Sequence, residues 1–172
     1  RLSTLAGNIL LLSKLDGQSI RPRRSRFRLD EQVRQCILAL ERRWTEKEVD
    51  FDVDLDSVDF TGYEGLLQHV WTNLIDNAVK FGPRGGLVQI RLVQETGSVL
   101  FTIDNEGPVI SEKDKARIFN KFYQGDSSHE SEGNGLGLAL VRKIIAIHGG
   151  EVWLEDPASG GCRFAVRLPM ET

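Results

Sequence analysis

One stretch near the middle of the chain, residues 69–81 with the sequence HVWTNLIDNAVKF, constrains the fold more than any other. At 100° per residue it forms a helix with one apolar sector and a narrow polar stripe along the edge of that sector. The stripe consists of Asn73, Asn77 and Lys80. Because a carboxamide competes for backbone hydrogen bonds, two of them one turn apart require an explanation. The stripe is either a solvated flank of a core helix or a polar rail beside a cavity, with oxygens for a divalent cation and an ammonium for an anion.

Composition and charge limit what the chain can be. Its 172 residues are 40% hydrophobic and 27% charged, which is typical of one globular domain with a short extension. No apolar run approaches a membrane span, and a net charge of −3 gives no general attraction to nucleic acid. Cys36 and Cys162 lack metal-ligand spacing and are expected to be buried thiols of a reducing compartment. Since residue 1 is an arginine, we expect a longer parent protein.

The N-terminal part contains a predicted helix and a basic segment. The helix ends at residues 16–17 and carries four apolar residues spaced as the seam of a helix bundle: Leu2, Leu5, Ile9 and Leu12. A single helix cannot bury such a seam, so a partner helix is expected. Residues 21–28 contain five arginines, which indicate either a patch for nucleic acid or acidic lipid or a solvated linker that leads into a short strand. The linker is favoured, because Phe27 is the one aromatic residue there that offers a stacking surface.

Periodicity assigns the rest of the chain to helices and strands. Asp30 is predicted to cap an amphipathic helix that runs to about Lys47, and residues 49–56 alternate as a half-buried strand with an acidic outer face. The helix with the polar stripe occupies about 62–81. The remaining predicted elements are a hairpin of strands 87–95 and 98–105, a short helix near 113–119, a helix over 136–148, and a hairpin of strands 152–154 and 164–168.

Consecutive hairpins separated by helices predict the fold class. We expect an α+β fold, a two-layer α/β sandwich with a mostly antiparallel mixed sheet covered by helices on one face, plus an N-terminal helix. A Rossmann or P-loop fold is disfavoured. In those folds the glycines directly follow a strand, whereas the Gly-x-Gly pattern of this chain follows a long polar loop.

Strand parity singles out Asn105. It continues the apolar face of the strand over 98–105, whereas Asp104 points the other way. A buried carboxamide needs hydrogen-bond partners, and at the floor of a pocket its carbonyl can accept from the exocyclic amine of a purine. Gly107 would let the backbone pass close to such a base.

Two further glycine clusters follow. Residues 133–138, with the sequence GNGLGL, lead into a helix whose N-terminal N–H groups and dipole favour an anion. Gly137 inside that helix costs about 1 kcal/mol relative to alanine, so a close approach of a ligand or of neighbouring backbone is expected there. Gly160 and Gly161 are interpreted as a hairpin turn.

The order and spacing of these segments resemble the catalytic ATP-binding domain of two-component sensor histidine kinases, in the ATPase superfamily shared with gyrase, mismatch-repair and heat-shock chaperone ATPases. The resemblance covers residues 27–169. It rests on an asparagine box at 73–81, a phenylalanine box at 118–123, and glycine boxes at 105–107, 133–138 and 161–164. Residues 1–20 resemble the end of a dimerisation and phosphoacceptor helix with its linker, and 27–172 the catalytic domain.

The resemblance implies roles for individual residues. Asn77 would ligate magnesium with support from Asn73, Lys80 would contact the phosphates of ATP, and Asn105 would hold the adenine amine. Lys121 stands where a basic residue often reaches the terminal phosphate. The full set of ATP-binding residues implied in this way is Asn73, Asn77, Lys80, Asn105, Gly107, Ile110, Lys121, Phe122, Gly133, Gly135, Leu136, Gly137 and Leu138.

Four positions depart from the family pattern. Asn105 stands where aspartate is usual, Val109 where the first glycine box has its second glycine, Gln124 where a second basic residue is frequent, and Cys162 where threonine is usual near adenine. The phosphoacceptor motif is missing, since none of the three histidines fits it: His69, His129 and His148. We therefore expect the chain to bind ATP but not to phosphorylate itself.

The function implied by the resemblance is that of the ATP-binding part of a protein-histidine kinase with ATP and Mg²⁺ as cofactors. It would transfer the γ-phosphate to a histidine on its own dimerisation domain, from which the receiver domain of a response regulator would take it. A homodimer, no nucleic-acid partner, and a cytoplasmic domain of a membrane-anchored parent are the matching expectations. Two alternatives stay open: another ATPase or a serine kinase of the superfamily, and a degenerate binding module that has lost nucleotide.

Overall fold

The structure, a computed structural model, describes residues 2–17, 23–120 and 137–170. Its helices and strands in chain order are α1 Leu2–Asp16, β1 Ser25–Arg28, α2 Leu29–Ala39, α3 Glu41–Glu46, β2 Asp50–Leu55, β3 Asp59–Gly62, α4 Glu64–Phe81, β4 Leu87–Glu95, β5 Ser98–Asn105, α5 Glu112–Lys115, α6 Gly137–Ile147, β6 Glu151–Glu155 and β7 Cys162–Pro169.

The main sheet has five strands in the order β2-β4-β5-β7-β6. The pair β2–β4 is parallel, and the other three pairs are antiparallel. The mixed, mostly antiparallel sheet of the predicted α+β sandwich is therefore confirmed. A second sheet, formed by β1 and β3, was not predicted. Because Gly62 pairs with Ser25 in that sheet, the predicted helix over 62–81 begins two residues late, at Glu64.

The helix α4 lies at the centre of the helical layer. It contacts α2, α6 and β5, and its residues Leu67, Val70 and Leu74 are fully buried. Trp71 lies against Phe101 of β5, with ring centroids 4.6 Å apart. The outer face of the sheet carries charged pairs instead, such as Arg91 with Asp52 at 2.8 Å. The helices thus cover one face of the sheet, and α4 connects that layer to the middle strand.

Asp30 is not the helix cap that the sequence predicts. The helix α2 begins at Leu29 with Arg28 in the capping position, and the carboxylate of Asp30 is buried. That carboxylate accepts hydrogen bonds from Arg28 at 2.8 and 3.0 Å, from Arg34 at 2.9 Å and from the backbone N–H of Val58 at 3.0 Å. Burial alone would raise the pKa of Asp30, but these hydrogen bonds outweigh it and hold the pKa well below its usual range.

The amphipathic helix predicted to run to Lys47 is two helices, because the chain turns at Leu40. The N–H of Leu40 donates to the carbonyl of Ile37, and the indole N–H of Trp44 donates to the same carbonyl at 2.8 Å. The Trp44 ring packs edge-on against Phe51 of β2, at 5.4 Å between centroids. The helix is therefore interrupted although its apolar pattern continues, and the indole of Trp44 contacts both sides of the break.

The N-terminal helix buries part of its apolar seam against the body of the fold. Leu12 and Leu15 are buried, α1 contacts α6, and Asp16 lies 3.6 Å from the ammonium of Lys143. Ile9 and Leu10 remain exposed. No helix in the described ranges is long and apolar enough to span a membrane.

Candidate nucleotide site

The polar stripe of α4 lies along the edge of its buried face, and all three of its residues are half-buried. Asn73 donates from its amide nitrogen to the carbonyl of His69, at 2.7 Å. Asn77 makes no side-chain hydrogen bond with any group in the described part of the chain. The ammonium of Lys80 lies 6.0 Å from the ring centroid of Phe81. The stripe therefore holds one amide with an internal partner, one amide without, and a cation.

Asn105 ends β5 beside the last turns of α4. Its amide nitrogen donates to the carbonyl of Ala78 at 3.3 Å, and its Oδ1 is buried with no hydrogen-bond partner among the described residues. The opposite orientation of the amide would place two acceptors, Oδ1 and the Ala78 carbonyl, against each other. Asp104 points to the other face of the sheet and forms a bidentate pair with Arg163, at 2.7 and 2.8 Å. The site thus contains a buried acceptor that needs a donor.

Two glycines allow backbone segments to meet around Asn105. A Cβ on Gly107 would lie 2.6 Å from the carbonyl oxygen of Phe81. Gly161 adopts a φ of +81°, and a Cβ there would collide with the carbonyl oxygen of Asn105. The second glycine is therefore more than the hairpin turn that the sequence suggests, since it packs directly on the residue that carries the unpaired acceptor.

At the other end of the stripe, α6 begins next to Asn73. A Cβ on Gly137 would lie 2.7 Å from Oδ1 of Asn73, so the helical glycine is explained by the close approach of an α4 side chain. Leu138 and Ile110 are half-buried and pack against the core. Five predicted site residues lie outside the described residues, as does Gln124: Lys121, Phe122, Gly133, Gly135 and Leu136.

Comparison with known proteins identifies the family of the chain. Residues 62–172 match the family model described as "Histidine kinase-, DNA gyrase B-, and HSP90-like ATPase". The chain belongs to this ATPase family. The matched region begins at the end of β3 and includes α4, Asn105 and Gly137.

Within the ATPase family, the chain is similar to sensor histidine kinases. It is 33% identical to the heme sensor protein HssS of Staphylococcus aureus strain JH9 over 98% of this chain, and it spans 36% of the length of that relative. The mycobacterial sensor histidine kinase MprB has a TM-score of 0.78 at 27% identity, with 87% of this chain and 99% of that one covered. ShkA, solved at full length in complex with AMPPNP, has a TM-score of 0.85 at 27% identity, with 99% of this chain and 36% of that one covered. The chain is thus homologous to the catalytic ATP-binding domains of sensor kinases in two-component signalling.

Besides Asn105, the structure describes two of the four departures from the pattern of sensor histidine kinases, Cys162 and Val109. Cys162 pairs in register with Asn105 and is buried, and its burial raises the pKa of the thiol to about 12. Val109 is 63% exposed. The first substitution therefore changes the surroundings of Asn105, whereas the second places an apolar side chain at the surface.

The two histidines in the described residues, His69 and His148, form hydrogen bonds within the fold. The Nε2 atom of His148 accepts from the backbone N–H of Tyr63 at 3.1 Å, and its Nδ1 lies 2.8 Å from the carbonyl of Ile144. Burial lowers the pKa of His148. His69 contributes its carbonyl to Asn73, and His129 lies outside the described residues.

Sequence reasoning missed the carbonyl of Ala78, which orients Asn105. A backbone acceptor leaves no signal in residue type, so no motif could have revealed it. Within the described ranges, no cluster of three His, Cys, Asp or Glu side chains could hold a metal ion. Magnesium does not require one, because amide oxygen, phosphate and water suffice as ligands.

Proposed function

We propose that this chain binds Mg²⁺-ATP between α4, β5 and the start of α6 and that, in the intact protein, it delivers the γ-phosphate to a histidine of the dimerisation helices. One observation carries the nucleotide part of this proposal. Oδ1 of Asn105 is a buried acceptor without a partner in residues 2–17, 23–120 and 137–170, and the carbonyl of Ala78 holds the amide nitrogen away from the same position. Such an acceptor suits the exocyclic amine of adenine and is mismatched to the carbonyl of guanine.

The phosphate and metal roles fall to the α4 stripe. Asn77 offers an amide oxygen with no competing partner in the described part of the chain, which fits a hard cation that retains several waters. Lys80 offers a cation without a carboxylate partner in the same ranges. Bound Mg²⁺ would neutralise charge on the phosphates, and these side chains would orient them. Asn73 has the supporting part, since its amide already bridges to His69 and lies against Gly137.

The remaining assignments rest on homology. As the matching motifs imply, the phosphates would be cradled by Gly133, Gly135, Leu136 and Gly137, and Lys121 would reach the terminal phosphate. Phe122 and Leu138 would belong to the ATP-binding residues. We assign residues 1–20 to the end of the phosphoacceptor helix and its linker, and 27–172 to the catalytic domain. The partners would be the dimerisation domain of a homodimeric, membrane-anchored parent and the receiver domain of a response regulator, with this domain in the cytoplasm.

Titration calorimetry of the 172-residue chain with ATP, ADP and GTP, each with and without Mg²⁺, tests the nucleotide site. We expect ATP and ADP to bind, Mg²⁺ to strengthen ATP binding, and GTP to bind at least tenfold more weakly, as expected when a site leaves a polar group unpaired. Absence of binding by all three nucleotides would support the degenerate binding module and reject the proposal.

Phosphorylation with γ-labelled ATP tests the kinase assignment. The chain alone is expected to take up no label, because it contains no acceptor motif. The parent protein with its dimerisation helices is expected to form an acid-labile, base-stable phosphoprotein that passes label to a receiver domain. Stable incorporation into serine of either protein would favour the serine-kinase alternative instead.

A further inference from the structure

The C-terminal end of α4 is capped by a lysine from another element. The last four carbonyls of a helix have no partner within it. In α4 the carbonyl of Ala78 accepts from the N–H of Gly82 at 3.1 Å and from Asn105. The next two carbonyls, those of Val79 and Lys80, both accept from the ammonium of Lys47, at 2.7 Å each.

Lys47 directs its charge to this helix end. It lies half-buried between α3 and β2, and it forms no salt bridge with any carboxylate in the described part of the chain. Burial lowers the pKa of Lys47, so its desolvation has to be offset by the two carbonyls. A cation at the C-terminus of a helix is also favoured by the helix dipole. The position of the ammonium is therefore coupled to the position of the last turn of α4.

Main-chain hydrogen bonds join the same two segments. The carbonyl of Lys47 accepts from the N–H of Gly85 at 3.0 Å, and the N–H of Asp50 donates to the carbonyl of Gly86 at 2.9 Å. The turn that carries Lys47 is thus bound both to the end of α4 and to the loop that follows it.

A lysine that caps a helix usually contributes to stability alone. The position of this one suggests more, because the capped turn carries the groups assigned to the nucleotide. Asn77 and Lys80 project from it, and the carbonyl of Ala78, which orients Asn105, is adjacent to the capped carbonyl of Val79. A small shift of this turn would change the partner that fixes the Asn105 amide.

We infer that Lys47 is a positioning residue of the nucleotide site, whose ammonium fixes the end of α4 so that Asn105 presents its oxygen and selects adenine over guanine. This inference rests on the proposed function and assigns a determinant of its base specificity. Lys47 acts through the helix end and does not touch the nucleotide.

The test is the variant Lys47→Met, which keeps an apolar stem of similar size and removes the ammonium. We expect ATP affinity to fall roughly tenfold in calorimetry, and the ratio of ATP to GTP affinity to fall as well, because the amide of Asn105 becomes able to rotate. Lys47→Arg, which keeps donors for both carbonyls, is expected to recover most of the affinity and of the selectivity.

Arg84→Met is the matched control. Arg84 pairs with Glu48 at 3.2 Å and joins the same two segments, but the pair is exposed and does not contact the carbonyls of α4. Its ATP affinity is expected to stay within about twofold of the wild-type value. Urea unfolding of each variant at several temperatures identifies a temperature at which all variants are folded. Nucleotide binding is then compared at that temperature.

Two results would overturn the inference alone: wild-type ATP affinity in Lys47→Met, or a loss of ATP affinity with an unchanged ratio of ATP to GTP affinity. The second result would make Lys47 a structural residue. Absence of ATP binding by the wild-type chain would overturn the proposed function, and this inference with it.

Discussion

The candidate site has two ends that differ in how they are built: the proposed purine end around Asn105, and the proposed phosphate end along Asn73 and Asn77. At the purine end, backbone meets backbone: the Phe81 carbonyl lies against Gly107, and the Asn105 carbonyl against Gly161. At the phosphate end, the surface is formed by side chains: Asn73 lies against Gly137, and the Asn77 side chain has no hydrogen-bond partner among the described residues. Backbone contacts cannot yield without moving whole elements, whereas side chains can rotate. A substitution that crowds the backbone at the purine end should therefore cost more folding stability than one at the phosphate end, where the neighbouring side chain can move.

The largest effect is expected for Gly107→Ala. Its methyl group would lie 2.6 Å from the carbonyl oxygen of Phe81, which is backbone and cannot rotate away. We expect the free energy of unfolding to fall by about 3 kcal/mol in urea titrations. Gly65→Ala is the control, because a Cβ at this exposed position of α4 meets no atom of the described residues within 4 Å. It should stabilise the chain by up to about 1 kcal/mol. Equal stabilities of the two variants would refute the rigid purine end.

Asn77→Ala should separate binding from folding. Loss of the amide oxygen is expected to weaken Mg²⁺-dependent ATP binding roughly thirtyfold, about 2 kcal/mol. The free energy of unfolding should change by less than about 0.5 kcal/mol, because the amide has no hydrogen bond in the described part of the chain. Asn73→Ala is the comparison, since it removes the 2.7 Å hydrogen bond to His69 and should cost stability. Retention of the magnesium effect in Asn77→Ala would refute the metal assignment.

The sequence revealed those parts of the site that follow from a regular period. The stripe of Asn73, Asn77 and Lys80 follows from 3.6 residues per turn, and the orientation of Asn105 follows from strand alternation. The carbonyl of Ala78 and the helix cap provided by Lys47 could not be predicted, because both depend on which helix end meets which strand.

Short elements and buried charges were also missed, for related reasons. The strand β3 has four residues, too few for an alternation to stand out, and it is defined by its pairing with β1. Asp30 has the sequence position of a helix cap. Its partner Val58, 28 residues away, is brought to it by the tertiary fold, and the backbone N–H of Val58 satisfies the buried carboxylate together with the neighbouring Arg28.

Asp30 lies far in sequence from both ends of the candidate site, so a substitution there tests folding stability separately from ATP binding. Its pKa is depressed in the folded state, so its contribution to stability is present above the pKa of the unfolded chain, about 4, and is lost as pH falls below it. We expect Asp30→Asn to lower the free energy of unfolding at pH 7 by about 2 kcal/mol. Urea unfolding between pH 7 and pH 3 should also show a flatter pH dependence for the variant. The ATP affinity of the folded variant should match the wild-type value. If the unfolding free energies of the variant and the wild type changed in parallel with pH, the low pKa of Asp30 would be contradicted.

The smallest effect is expected for Gly137→Ala, which tests most directly whether the phosphate end yields more easily than the purine end. Alanine gains at most about 1 kcal/mol over glycine in a helix, and less at the first residue of α6, but its Cβ would lie 2.7 Å from Oδ1 of Asn73. That amide can rotate at the cost of its hydrogen bond to His69, about 1 kcal/mol, so we expect a net loss of less than about 1 kcal/mol in urea unfolding.

The double variant Asn73→Ala/Gly137→Ala distinguishes a side-chain contact from a backbone one. Truncating Asn73 removes the clash, so the double variant should be more stable than the sum of the single effects by about 1 kcal/mol. Gly107→Ala should have no such rescue, because its neighbour is the Phe81 carbonyl, which every residue at position 81 retains. Additive effects of the Asn73 and Gly137 substitutions would mean that the phosphate end is as rigid as the purine end.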